Sequence, residues 1–159
     1  MHNSPVLQQE KKCMVLELYH YQETKGINDM EDFSYNTKIA ILRVLTEIIN
    51  ADNVVHEKEI EYIEELVKQF GLDESYKTEM NNIVTLQALN TLSQLDPQQK
   101  EQVAAMMGKM IVIDKDINYN EVKLYNTICE SCLINKDFHI EDYPDYSLSG
   151  PFINPEDIW

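Results

Sequence analysis

Two short acidic stretches carry the residues of this chain best suited to chemistry. Residues 51–59 read ADNVVHEKE, and residues 113–121, displaced by 62 positions, read IDKDINYNE. Asp52 aligns with Asp114, Val55 with Ile117 and Glu59 with Glu121. Clustered carboxylates suit a hard divalent cation, calcium or similar, which takes oxygen ligands from Asp, Glu, backbone carbonyls and water. The candidate ligands are Asp52, Glu59, Asp114, Asp116 and Glu121.

A second reading of the same residues needs no ion. His56 and Asn118 fall at the N-cap of the helix that each stretch opens. Glu59 and Glu121 then fall at its third position, where a carboxylate reaches back to the N–H of the cap. Asn118-x-x-Glu121 makes a good capping box, and His56 is an unusual cap. Val55 and Ile117 are expected to anchor the loops to the core, and Asp52 and Asp114 to satisfy loop N–H groups. Asp114-x-Asp116-Ile117-x-x-x-Glu121 also resembles the second half of an EF-hand loop, which ends on a bidentate glutamate. The first half is absent. Met110 and Val112 stand at the first two ligand positions of this copy, Ile48 and Asn50 in the other, and Asn53 and Lys115 replace the glycine. This is not an EF-hand, and capping and a weaker cation site both stay open.

The elements around these loops are helical. Apolar residues at helical spacing predict helices over 6–21, 35–50, 57–70, 75–83, 85–95, 97–113 and 119–134. The stripe of the 57–70 helix is read as Ile60, Ile63, Leu66, Val67 and Phe70, with Gly71 as its stop. Leu86, Leu89, Leu92 and Leu95 share one side of the next long segment. Asp96-Pro97 with Gln99 forms a capping box with proline at the first helical position. No run alternates at period two, so no strand is expected. At the offset of 62, Ile41 pairs with Val103, Leu45 with Met107, Ile48 with Met110 and Leu66 with Ile128. Each half is therefore helix, acidic loop, helix, over about 36–72 and 98–134. Residues 1–134 form the helical domain.

Residues 135–159 differ in character. They hold three of the five prolines, one lysine against six acids, and the aromatics Phe138, Tyr143, Tyr146, Phe152 and Trp159. Disordered tails are poor in aromatics, so this one is expected to pack on its own domain or dock on a protein partner.

Composition narrows the classes. The chain has 159 residues and a net charge of −15, which repels nucleic acid and anionic lipid and suits cations or basic partners. No apolar run reaches the roughly 20 residues of a membrane span, and no signal peptide is apparent. Three cysteines make an odd number that argues for a reducing compartment. Cys129 and Cys132 form a single CxxC near a helix end, on the apolar stripe, and read as buried core; a zinc site needs a second pair. Cys13 is a lone thiol. His2, His20, His56 and His139 show no ligand spacing. No phosphate-binding glycine loop or nucleophile elbow is present.

Ala51-Asp52-Asn53 followed by Glu59, repeated as Asp114-Lys115-Asp116 followed by Glu121, resembles the TerB family of tellurite-resistance proteins. Related folds stand at the N-terminus of membrane-bound DnaJ-like co-chaperones. The family pattern is Ala-Asp-Gly, a short turn, then Glu opening a helix, in both halves of an all-helical domain; here it covers about 36–134. This chain lacks both glycines and has Ile113 for the second alanine. The resemblance implies an all-α bundle of six or seven helices in a cytoplasmic bacterial protein. It also implies a link to stress and to calcium or another divalent metal, with no established reaction. Carried over residue by residue, it points to Asp52, Glu59, Asp114 and Glu121.

Three functions are then in play. The first is a non-enzymatic module whose acidic loops or surface bind a cation or protein partner. The second is a scaffold or assembly subunit docking through 135–159. The third is a metal-dependent hydrolase with paired carboxylates, which requires the two loops to face each other within a few ångströms.

Overall fold

The computed structural model describes residues 33–150. The helix expected over 6–21, together with Cys13, His2, His20, Phe152 and Trp159, lies outside the described residues. From Ser34 onward the described residues form one compact unit. Six helices are described: α1 (Tyr35–Ile49), α2 (Glu57–Gln69), α3 (Tyr76–Asn82), α4 (Thr85–Ser93), α5 (Pro97–Val112) and α6 (Tyr119–Ser131). The fold is all-α, as the periodicity predicts.

Helix α1 is the centre. Ile39, Ala40, Ile41, Leu42, Val44, Leu45, Ile48 and Ile49 are all buried, and a helix apolar on nearly every side must be enclosed. It packs against α4, α3, α5 and α6. Ser34 starts it, its Oγ accepting from the Thr37 N–H at 3.2 Å. Lys38 donates to the Phe70 carbonyl at 3.0 Å, placing a cation at the negative end of α2. Arg43 pairs with Glu47 at 3.2 Å, and the Thr85 hydroxyl donates to Glu47 at 3.1 Å, which ties α1 to the start of α4.

The repeat is structural. The bounds of α2, advanced by 62, are those of α6. Both helices end alike: Gly71 and Leu133 take φ of 68° and 59°. Leu72 N–H then bonds the Val67 carbonyl at 3.1 Å, and Ile134 N–H that of Cys129 at 2.7 Å, the long bond of a Schellman stop. At the start of α5, Asp96 accepts from Gln99 N–H at 2.8 Å and Gln99 Oε1 accepts from Asp96 N–H at 3.2 Å, with Pro97 at the first position. Met106, Met107 and Met110 are core filler, and α6 buries Val122, Tyr125, Ile128 and Cys129, with Cys132 beyond its end. Burial pushes both the Cys129 and Cys132 thiols up to about 11, so neither supplies a thiolate near neutrality.

The structure corrects the sequence reading in three places. Two three-residue strands exist, β1 (Asp116–Asn118) and β2 (Ser147–Ser149), paired in parallel. Each is polar-apolar-polar, too short for alternation to register, and 31 residues separate the partners. Val55 and Leu86 are exposed, as is Ile60 at 45%. Leu66 and Phe70 are buried as expected, but Glu59 and Tyr62 complete that face in place of Ile60, which turns it part-way round from the expected stripe. A glutamate thus occupies a core position.

The described part of the tail packs on its own domain. Phe138 N–H donates to Asn126 Oδ1 at 2.9 Å. Its ring meets Tyr125 edge-on at 5.6 Å and stacks on Tyr143 at 5.6 Å. A turn at Ile140–Asp142 leads to β2. Among the described residues, no helix is long and apolar enough to cross a membrane.

Candidate metal centre

Each acidic loop is a tight turn between two helices, and the two turns share their geometry. In the first, Asn53 has φ 61°; in the second, Lys115 has φ 62°. These are the positions where the family pattern has glycine, and both side chains accept the left-handed conformation. Asn53 N–H bonds the Asn50 carbonyl at 3.2 Å, and Lys115 N–H that of Val112 at 3.1 Å. Asp52 Oδ1 accepts from Val54 N–H at 2.9 Å, and Asp114 Oδ1 from Asp116 N–H at 3.1 Å. The aspartates do satisfy loop N–H groups, as aspartates in turns do. One oxygen of each does so, and the second is left for other work.

Those second oxygens converge. His56 Nε2 lies 3.7 Å from Asp114 Oδ2 and 3.9 Å from Asp52 Oδ2. One imidazole nitrogen therefore sits within 4 Å of a carboxylate from each loop. Glu59 completes the group: His56, Glu59 and Asp114 each offer a donor atom, all within 4.8 Å of one another. The side chains of Asp52 and Asp114 are 9% and 16% exposed and that of His56 is 38% exposed, so the group opens to solvent on the histidine side.

Glu59 and Glu121 hold the third position of α2 and α6, as the capping reading has it. Asn118 plays its part, its Oδ1 accepting from Asn120 N–H at 2.9 Å and Glu121 N–H at 3.3 Å. His56 makes no side-chain cap bond, and α2 forgoes a stabilisation of about 1 kcal/mol. The Glu121 half of the expected capping box is not formed, and both glutamates are core residues. They are 1% and 2% exposed, and each keeps one buried oxygen without a partner in the protein, Oε2 of Glu59 and Oε1 of Glu121. Burial raises Glu59 to about 7; the His56 charge opposes the rise, while Asp52 and Asp114 add to it. Glu121 is raised to about 9, by burial first and then by the charges of Glu59, Asp52 and Asp114. Neighbouring carboxylates cannot all ionise in a poorly solvated site unless a cation joins them.

Of the five acidic residues singled out by spacing, Glu59 and Asp114 join His56 in one group, and the charges of Asp52 and Asp114 bear on Glu59 and Glu121. Asp116 faces elsewhere: it accepts from Ser147 Oγ at 2.8 Å and Ser149 Oγ at 2.7 Å. It fastens β2 to the second loop. Gly150 follows with φ 101°, and a Cβ there would meet Tyr119 N at 3.2 Å and Asn118 at 3.3 Å. His56 is the residue that sequence reasoning undervalued, reading it as an unusual cap with no ligand spacing. The available signal was its poor fit as a cap beside Asn118 in the other copy. A groove of about 540 Å³ lies between α5, α6 and the tail, lined by residues such as Tyr125, Phe138 and Tyr143; none of the metal-centre residues lines it.

The description "Tellurite resistance protein TerB" belongs to the family whose model matches residues 7–82. The chain is TerB-like. The match takes in the first acidic loop with α1, α2 and α3 of the TerB-like fold, and reaches further toward the N-terminus than the loop pattern does. A crystal structure of a protein of unknown function from Porphyromonas gingivalis W83 is similar, with TM-score 0.58 and 23% identity over 70% of this chain and 93% of that one. At that identity the likeness speaks for the fold alone. No curated protein matches.

Proposed function

We propose that this TerB-like protein is a non-enzymatic divalent-cation-binding protein whose two acidic loops build one shared site. The observation that carries the reading is the pair Glu59 and Glu121, supplied by the two repeats and almost fully buried. Each bears an unpartnered oxygen, and Glu59 offers a donor atom within 4.8 Å of those of His56 and Asp114. Leaving buried polar atoms unpaired costs about 1–3 kcal/mol each, and a bound cation relieves that cost. Oxygen donors dominate the set, which fits a divalent ion held by carboxylates.

Facing loops are also what a metal hydrolase would need. Burial favours binding over hydrolysis, because Glu59 and Glu121 are 1% and 2% exposed. Docking through the tail has less support, because residues 138–149 are engaged with Tyr125, Asn126 and Asp116 of their own domain. The family's name suggests a setting in stress resistance, and the expected location is the cytoplasm.

Calorimetric titration with calcium, magnesium, manganese and zinc tests the reading. Binding of at least one ion, weakened about tenfold or more in Asp114→Asn, is expected. No heat with any of the four would remove it.

A further inference from the structure

Resting on that cation reading, we propose that His56 is an ion-selecting ligand and that the site takes a first-row transition ion of the manganese(II) or zinc(II) class in preference to calcium or magnesium. The two halves of the fold differ at this one corner of the site. In the second half Asn118 caps α6 with two hydrogen bonds. In the first, His56 holds the same extended cap backbone yet makes no cap bond. Its imidazole instead places Nε2 between Asp52 and Asp114, at 3.9 and 3.7 Å.

The spacing is close to that of a shared ion. Ligand atoms about 2.0–2.2 Å from one metal lie within about 4.4 Å of each other, and the donor atoms of His56, Glu59 and Asp114, within 4.8 Å of one another, need draw in by only a few tenths of an ångström to share one. Glu59 is 1% exposed and its Oε2 has no partner, so an oxygen within the group is free for an ion. Calcium and magnesium choose oxygen ligands, whereas a neutral imidazole suits zinc, iron and their neighbours. A site meant for calcium gains nothing from the nitrogen and gives up the cap that asparagine supplies in the other half.

His56→Asn is the variant that isolates this ligand. It installs the residue that the second repeat uses at this place, so α2 gains a good cap and the fold is retained, as far-UV circular dichroism would verify. The full chain and the variant are titrated with manganese, zinc, calcium and magnesium chlorides. The expected result is a loss of tenfold or more for manganese and zinc in the variant, with calcium and magnesium changed less than about threefold. Zinc outranks calcium at most nitrogen-containing sites, so the unequal loss, rather than the ranking, is the decisive readout. An equal change for all four ions, or none, overturns the role of His56 while the cation site stands. Absence of binding by any ion in the unmodified chain removes both.

Discussion

Glu121→Gln is expected to stabilise the metal-free protein and to abolish its stabilisation by metal. The carboxyl lies at about 9 in the fold against an ordinary 4.5. At pH 7 it is protonated when folded and ionised when unfolded. The folded state therefore binds more protons, and stability falls as pH rises from 4.5 towards 9. About 2.5 pH units of this interval lie below pH 7, and at about 1.4 kcal/mol per unit the cost there is about 3 kcal/mol. Glutamine has nearly the shape of the protonated acid and carries no such cost. In a domain of this size, 3 kcal/mol corresponds to about 6–12 °C in melting temperature. Thermal melts in EDTA at pH 5, 6, 7 and 8 read the effect: the variant melts higher at pH 7, and the gap closes towards pH 5. With metal at about a hundred times its Kd the unmodified chain gains about 2.7 kcal/mol, and the variant does not. A variant less stable at pH 7, or a gap that does not narrow on acidification, would refute the reasoning.

Two further outcomes follow from the same structure. Gly150→Ala sets a Cβ against Tyr119 N at 3.2 Å and forces a side chain to φ 101°; it should cost about 1–3 kcal/mol in urea denaturation, and an unchanged midpoint would show that β2 does not seat here. Cys129 and Cys132, buried and raised to about 11, should react with a thiol reagent at pH 7 only after unfolding; rapid labelling of both in the native state would contradict their burial.

Local chemistry made much of the fold readable. Ser34, Asp96 and Asn118 mark helix starts through side-chain bonds that span three residues, and Gly71 marks a stop. The offset of 62 carried from sequence into turns and Schellman ends, because those features are made by hydrogen bonds between near neighbours within each repeat. The site was readable as a set of residue types and not as a place. That Glu59 and Glu121 meet depends on how the halves pack, which no local window records. Periodicity put Ile60 in the core, and the structure puts Glu59 there; an acid that interrupts an apolar face was the trace left by the site. Asp116 looked equivalent to Asp114 until the serines of β2, 31 and 33 residues away, claimed it.

The central claim is that both acidic loops hold one cation. Anomalous diffraction from crystals grown with manganese chloride, recorded on either side of the manganese edge, tests it most directly. The account predicts a peak about 2.0–2.4 Å from donor atoms of His56, Glu59 and Asp114. Manganese found only at scattered surface carboxylates, with none between the two loops, would contradict it.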